Sequence, residues 1–256
     1  MGFESGITFI DFSKDPNALV EKSEGWKNLC KQVKEACENH GCFQVGYEKV
    51  PRKLHDEMFK RMKDLFDLGD EIKKNNISSK SHHGYIGKDS NYPLLESLGI
   101  ENALIFDKAR AFTDLNGNPS FCGTLNSMSI MMKELEGIIR KMIFESFGIR
   151  EYYDSNIKNT DYMFHVMKYK SPFTDQPTIG LPAHTDKNIL TILYEDIQGL
   201  EVISKKGQWI HVVPKQGNFL VIVGEYPMAW SNGRMHAPKH RVMMKGEKDR
   251  YSYSQF

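Results

Sequence analysis

The stretch Leu181-Pro182-Ala183-His184-Thr185-Asp186 heads a series of short apolar runs at 189–193, 200–203, 210–213 and 219–223, with a similar run before it at 163–169. Pro, Gly or charged turns separate these runs. Ile, Val, Leu and Phe recur within them, as half-buried pleated strands require. Upstream the period changes. Residues 25–40 set Trp26, Leu29, Val33, Ala36 and Cys37 on one helical face, with Gly41 as a stop, and residues 42–46 (CFQVG) read as a strand. Residues 7–12 (ITFIDF) read as another strand. Pro51 opens a helix whose stripe is Leu54, Met58, Met62, Leu65 and Phe66. A third helix carries Met128, Met131, Met132, Leu135, Ile138, Ile139, Met142 and Ile143 toward a stop at Gly148, and its methionines read as a packed core face. Residues 75–100, broken by Gly84, Gly87 and Pro93, read as a loop.

Helices first and many short strands afterward give a mixed α+β fold, an antiparallel sandwich or barrel supported by N-terminal helices. With 256 residues, 40% of them hydrophobic, the chain can bury one sizeable core, and no polar or Gly/Ser-rich linker divides it. One domain is expected over 1–256. Residues 1–150 are mainly helical support with early strands, and residues 160–256 are the strand-rich core. The 34 Lys and Arg balance 33 Asp and Glu, which removes any general electrostatic reason to expect nucleic acid or a lipid surface as partner. The four cysteines form no CxxC pair, so a reducing cytoplasmic setting is expected, with Cys37 a small core residue. The N-terminus has no secretory pattern, and no run approaches a membrane span.

In extended backbone, His184 and Asp186 project to the same side, since side chains repeat every two residues. An imidazole and a carboxylate thus come together, although His-x-Asp alone is common at turns and surfaces. His240 stands 54 positions beyond Asp186, across several strands, where a closed or sandwiched sheet can return it to the first pair. Two neutral imidazoles and one carboxylate can occupy one face of iron(II) and leave positions open for a chelating co-substrate and oxygen. His236 is the local competitor for the distal position; His240 is favoured because it begins a polar-to-apolar strand transition. His165 and His211 read as sheet residues, and His82 and His83 as loop residues with solvated or substrate-side roles. Arg250 and Ser252, at i,i+2 on one strand face, can grip a carboxylate with two guanidinium hydrogen bonds and one hydroxyl. Tyr169 could add a phenolic hydrogen bond or serve as a core aromatic.

The assembled pattern resembles the plant-type iron(II)/2-oxoglutarate-dependent dioxygenases along essentially the whole chain. The likeness runs in order through ITFIDFS (7–13), CFQV (42–45), HTD (184–186), GLEV (199–202), QWIHVVP (208–214), GNFLVIVGE (217–225), WSNGR (230–234), HRV (240–242) and RYS (250–252). GYIG (84–87) followed by PLLESLGIENA (93–103) is similar to the AOP-type branch of specialised-metabolism enzymes.

The resemblance implies a distorted double-stranded β-helix, or jelly-roll, core with N-terminal and flanking helices. It assigns His184, Asp186 and His240 to iron, and Arg250 and Ser252 to the distal carboxylate of 2-oxoglutarate. His236 has no corresponding role. A family tyrosine falls at Tyr169, here within Met-Lys-Tyr-Lys. The implied reaction consumes 2-oxoglutarate and molecular oxygen, yields succinate and carbon dioxide, and hydroxylates or O-demethylates a small plant specialised metabolite, with ascorbate supporting activity in vitro. A monomer is expected. Residues 79–97 and 105–121 are expected to help cover the iron entrance, with Phe106 and Phe112 as pocket contacts. Glu225 departs from the aspartate the family commonly has after Gly. The family usually continues beyond RYS, so an incomplete jelly roll with an uncovered sheet edge is expected at the chain's end. Two other readings stay open: a truncated metal-binding or interaction protein without catalysis, and a cupin-like iron enzyme that does not use 2-oxoglutarate.

Overall fold

The computed structural model describes residues 6–15, 17–80, 83–87 and 92–256. Its first half runs β1 (Thr8–Asp11), α1 (Glu24–Asn39), β2 (Cys42–Gly46), α2 (Arg52–Phe66), α3 (Asp70–Lys73), β3 (Tyr85–Ile86), β4 (Leu95–Glu101), α4 (Phe106–Leu115), α5 (Cys122–Ser146) and α6 (Tyr153–Lys158). The second half is strand-rich: β5 (Met163–Tyr169), β6 (Thr174–His184), β7 (Leu190–Glu195), β8 (Leu200–Ile203), β9 (Trp209–His211) and β10 (Asn218–Val223). Helix α7 (Glu225–Trp230), β11 (His240–Gly246) and β12 (Arg250–Gln255) follow.

The strands form an eight-stranded sheet, ordered β1-β2-β10-β7-β12-β5-β4-β3, and a four-stranded sheet, ordered β6-β11-β8-β9. The large sheet is covered on both faces, and the two-residue repeat of its strands sorts side chains between two cores. Phe164 and Val166 of β5, Leu190, Ile192 and Tyr194 of β7, Phe219, Val221 and Val223 of β10, and Tyr251 and Tyr253 of β12 face the core shared with the helices. The alternate residues Tyr169, Leu193, Leu220 and Ile222 pack against Leu200, Val202, Val242 and Met244 of the small sheet. The result is three layers: helices, large sheet, small sheet. This is the expected mixed architecture with a jelly-roll core.

Helix α1 shows how the helical layer fixes the site. The Ser23 hydroxyl accepts from the Trp26 N–H at its N-terminus, and Trp26, Leu29, Val33 and Cys37 are buried. Gly41 turns the chain out of the helix at φ 67°; a Cβ there would stand 2.0 Å from the His236 carbonyl oxygen. The His236 N–H donates to the Cys37 carbonyl, so the end of α1 is clasped to the segment that leads into β11. Of the methionines on α5, Met128, Met132 and Met142 are fully buried, as a core face should be. The four cysteines are all buried and free of disulfides. No helix among the described residues is long and apolar enough to cross a membrane.

Two expectations change. Residues 95–100, the end of the stretch read as loop, belong to β4, which pairs along its whole length with β5. Its Gly99 and its polar Glu96 and Ser97 hid the strand; Glu96 is buried because Lys73 reaches it at 2.6 Å. The last strand is also no edge: β12 is hydrogen-bonded to β7 on one side and β5 on the other.

Candidate metal centre

On the sandwich-facing row of the large sheet, polar side chains cluster in one region. There β7 presents Thr191 and Leu193, β12 presents Arg250, Ser252 and Ser254, and β5 presents His165, Met167 and Tyr169. Together with residues 181–184 at the end of β6 and with Asp186, they line a cavity of about 450 Å³. Buried polar side chains in an inward row carry a desolvation cost unless they are paired or used, which marks this cavity as the place for chemistry.

Strands β6 and β11 pair with His184 opposite His240, so the two imidazoles are cross-strand neighbours with ring centroids 4.3 Å apart. Asp186 Oδ1 lies 3.7 Å from His184 Nε2 and 3.6 Å from His240 Nε2. These are the only three described residues of metal-binding type whose ligating atoms converge in this way, all within 4.8 Å of one another. The far nitrogens are already committed. His184 Nδ1 donates to the Pro182 carbonyl at 2.9 Å, and His240 Nδ1 to the Pro238 carbonyl at 3.3 Å. Each imidazole therefore holds a proton on Nδ1, which leaves Nε2, on the side of Asp186, as the atom available to a metal. Asp186 Oδ2 accepts from Thr191 Oγ1 at 2.6 Å, which leaves Oδ1 facing both histidines. Burial holds His240 below the usual imidazole range, against the pull of Asp186, and so favours the neutral ring that a cation needs. Two neutral nitrogens and one carboxylate oxygen fit iron(II). His236 is not part of the group; its backbone serves the clasp to α1.

Deeper in the cavity, Arg250 is fully buried. Its Nη1 donates to Ser252 Oγ at 3.3 Å, its Nε to the Ile197 carbonyl at 3.3 Å, and its Nη2 to Glu195 Oε2. Tyr169 sits opposite Arg250 in the β5–β12 register, and the guanidinium lies 5.0 Å from its ring centroid. Burial pushes the Tyr169 phenol up to about 12, with Arg250 pulling the other way, so it stays a neutral donor. Two glycines make room for this pair. A Cβ on Gly180 would stand 3.0 Å from Tyr169 Cδ1, and one on Gly199 3.0 Å from Arg250 Cδ.

Several expected contacts lie elsewhere. Phe106 is half-exposed under the Arg110 guanidinium, and Phe112 is buried in the helical core, so neither lines the cavity. The whole of 105–121 is likewise absent from its wall, because α4 packs on α5 behind the large sheet. The 79–97 region contributes Ile86, Tyr92, Leu95 and Ser97. His82 lies outside the described residues, and His83 pairs with Glu101 at 2.8 Å. His211 is half-exposed in β9 beside Glu201. His165, expected to be structural, lines the cavity. Thr191 and Glu195 were not foreseen; their signal was two polar residues four apart, and so on one strand face, in the run LTILYE (190–195).

The geometry and the comparisons agree on a class. Residues 154–256 match the 2OG-Fe(II) oxygenase superfamily, and residues 7–98 match the N-terminal region described as non-haem dioxygenase in morphine synthesis. The chain belongs to the 2-oxoglutarate- and iron(II)-dependent oxygenases, a membership that implies both iron(II) and 2-oxoglutarate. Among its relatives, the probable 2-oxoglutarate-dependent dioxygenase AOP1 of Arabidopsis thaliana is 42% identical over 259 residues, covering 98% of this chain and 84% of the relative. The dioxygenase for auxin oxidation 1 of Arabidopsis thaliana, solved as a complex with 2-oxoglutarate, superposes with a TM-score of 0.88 at 28% identity, over 98% of this chain and 91% of that one. The dioxygenase for auxin oxidation of rice gives a TM-score of 0.82 at 29% identity, over 98% and 82%. The chain is thus a 2-oxoglutarate-dependent dioxygenase of the plant AOP/DAO type.

Proposed function

We propose that His184, Asp186 and His240 hold iron(II), that Arg250 and Ser252 hold the distal carboxylate of 2-oxoglutarate with Tyr169 beside them, and that the substrate is a small plant specialised metabolite. One observation carries the reading: two Nε2 atoms and one carboxylate oxygen converge in the wall of a cavity that a buried arginine also lines. Bound iron(II) would supply the oxygen chemistry that couples decarboxylation of 2-oxoglutarate to succinate with oxidation of a substrate C–H bond.

The protein's own part is orientation. The Pro182 and Pro238 carbonyls fix both imidazoles, and Thr191 fixes the carboxylate. Asp186 acts as ligand and has no separate acid–base task. Leu181, Leu193, Leu200, Ile222 and Val242 keep the cavity apolar around the polar groups, and its 450 Å³ lies in the range of about 300–1,000 Å³ typical of small-molecule sites. An apolar wall with His165 and Ser254 suits a small, largely hydrophobic molecule with one or two polar groups, such as an aromatic or hormone-derived metabolite. Its oxidation is hydroxylation, or hydroxylation of a methoxy carbon followed by loss of formaldehyde. The protein works as a cytoplasmic monomer in this reading.

The test is aerobic succinate formation by the iron(II)-loaded chain with 2-oxoglutarate and ascorbate, compared with folded His184→Ala. Metal-dependent succinate that vanishes in the variant supports the reading. A panel of aromatic and O-methylated plant metabolites is then scored for stimulated succinate, and formaldehyde release separates demethylation from hydroxylation. Equal succinate from both proteins would remove His184 from the metal assignment.

A further inference from the structure

Arg250 meets a negative charge before any ligand arrives. Glu195 is directly opposite Ser252 in the β7–β12 register, so its side chain leaves the sheet on the same face as Ser252 and the cavity-lining Thr191 and Leu193. Its Oε2 accepts from Arg250 Nη2, while its Oε1 is buried with no hydrogen-bond partner. The Glu195 side chain is 4% exposed and that of Arg250 1%. Around the carboxyl stand Arg250 and Ser252 from β12, Tyr169 from β5, which stays neutral, and Asp196 at the next position of its own chain. Arg250 is the one cation among them.

A second carboxylate bound to Arg250 would place two negative charges against one positive charge in a buried site. Two carboxylates that share one buried cation raise each other's proton affinity, which favours uptake of a proton by one of them. Glu195 is the group prepared to do so. Burial already pushes its carboxyl up, against the Arg250 charge. Its orphan Oε1, once protonated, becomes a donor in a place where the ionised form has nothing to accept from. The distal carboxyl of the dicarboxylate has about the intrinsic acidity of a glutamate side chain, so the buried setting of Glu195 and its unpartnered Oε1 decide which group holds the proton.

We propose that Glu195 is a positioning residue that neutralises Arg250 in the free protein and carries a proton in the 2-oxoglutarate complex, so that binding the dicarboxylate takes up one proton. The inference rests on Arg250 being the co-substrate anchor. It makes 2-oxoglutarate affinity fall as pH rises, and it makes Glu195 the residue that sets that dependence.

The experiment is anaerobic calorimetric titration of 2-oxoglutarate into the iron(II)-loaded full chain at pH 6.5 and 8.0, each in two buffers of different ionisation heat to count protons. Wild type should take up about one proton at pH 8.0, and its Kd should weaken by up to about ten-fold per pH unit. Glu195→Gln, which keeps an acceptor for Arg250 but cannot ionise, should take up none, bind at least about ten-fold tighter at pH 8.0 and show a flat pH profile. Absence of proton uptake by wild type, or Glu195→Gln affinity no better than wild type, overturns the proposal. The wild-type proton count stands on its own if the variant fails to fold. Arg250→Met separates the two levels: loss of binding in it upholds the anchor, whatever Glu195 does, and unchanged binding would sink anchor and proposal together.

Discussion

Thr191 Oγ1 donates to Asp186 Oδ2 at 2.6 Å and itself accepts from Asn188 Nδ2 at 2.8 Å. The chain from Asn188 through Thr191 to Asp186 fixes which carboxylate oxygen faces His184 and His240. The hydroxyl comes from the inward row of β7, so the large sheet orients a candidate metal ligand that stands two residues beyond the end of the small sheet's β6. Thr191→Val keeps the shape and removes the hydroxyl. Metal affinity should fall about 10- to 100-fold while the metal-free protein melts within a few degrees of wild type. A competition titration with a zinc or iron chelator measures this, and unchanged affinity would show that Asp186 needs no such support.

Lys73 and Glu96 make a second prediction, on stability. The ammonium is 3% exposed, reaches Glu96 at 2.6 Å and the Phe66 carbonyl at 3.2 Å, and ties α3 to β4, which forms one wall of the cavity. Lys73→Met leaves Glu96 buried without its cation, and removing one partner of a buried pair costs about 3–5 kcal/mol. Urea unfolding should show that loss, and Lys73→Met combined with Glu96→Leu should recover much of it. A single variant as stable as wild type would mean that water replaces the cation at Glu96.

The same β4 shows where reading the sequence stops. Glu96 and Ser97 look like loop residues beside Pro93 and Gly99, and only the distant Lys73 and the partner strand β5 make them a buried strand. Long-range pairing of this kind leaves no local period. The candidate ligands were legible because their i,i+2 spacing lets His184, the last residue of β6, and Asp186 just beyond it come together, while the match of His240 to His184 needed the fold and was supplied in advance by the ordered motifs. Phe106 and Phe112 were misplaced because an aromatic on a helix carries no mark of which layer it joins. Glu195 escaped notice because an acid before Asp196 and a turn reads as a solvated strand end. Its burial follows from the arginine across the sheet.

His55 gives the pH prediction. The imidazole is buried, stacks on Tyr194 with centroids 4.0 Å apart and meets the Tyr253 hydroxyl at 2.5 Å, and its Nε2 has no partner. Burial lowers its pKa to about 4, with Asp56 a smaller opposing influence. The unfolded chain, with a histidine near 6.5, binds the proton more readily, so this contribution to stability is fully present above pH 6.5 and is lost as pH falls toward 4. The loss should be on the order of 2–3 kcal/mol. Urea midpoints between pH 7.5 and 4.5 should fall more steeply in wild type than in His55→Gln, and parallel slopes would assign the acid sensitivity to other groups.

Gly199 tests how closely the arginine is held. A Cβ there would lie 3.0 Å from Arg250 Cδ, 3.2 Å from Arg250 Nε and 3.1 Å from the Met243 carbonyl oxygen. The backbone cannot retreat easily, since Gly199 already accepts from the Met243 N–H at 2.8 Å. The stem of Arg250 must therefore move by a few tenths of an ångström, enough to disturb its bonds to Ser252 and Ile197, which are long at 3.3 Å. Positioning errors of this size weaken a directional carboxylate grip more than they weaken the fold. Gly199→Ala should raise the Kd for 2-oxoglutarate roughly three- to ten-fold with metal affinity unchanged, because His184, Asp186 and His240 are not among the residues its added methyl group would meet. Gly123→Ala is the control: nothing lies within 4 Å of its added methyl group on α5, and a helical Gly→Ala change should stabilise by up to about 1 kcal/mol without touching binding. Equal 2-oxoglutarate affinity in the two variants would mean that the guanidinium tolerates displacement, and that Ser252 or Tyr169 does more of the holding than the buried arginine.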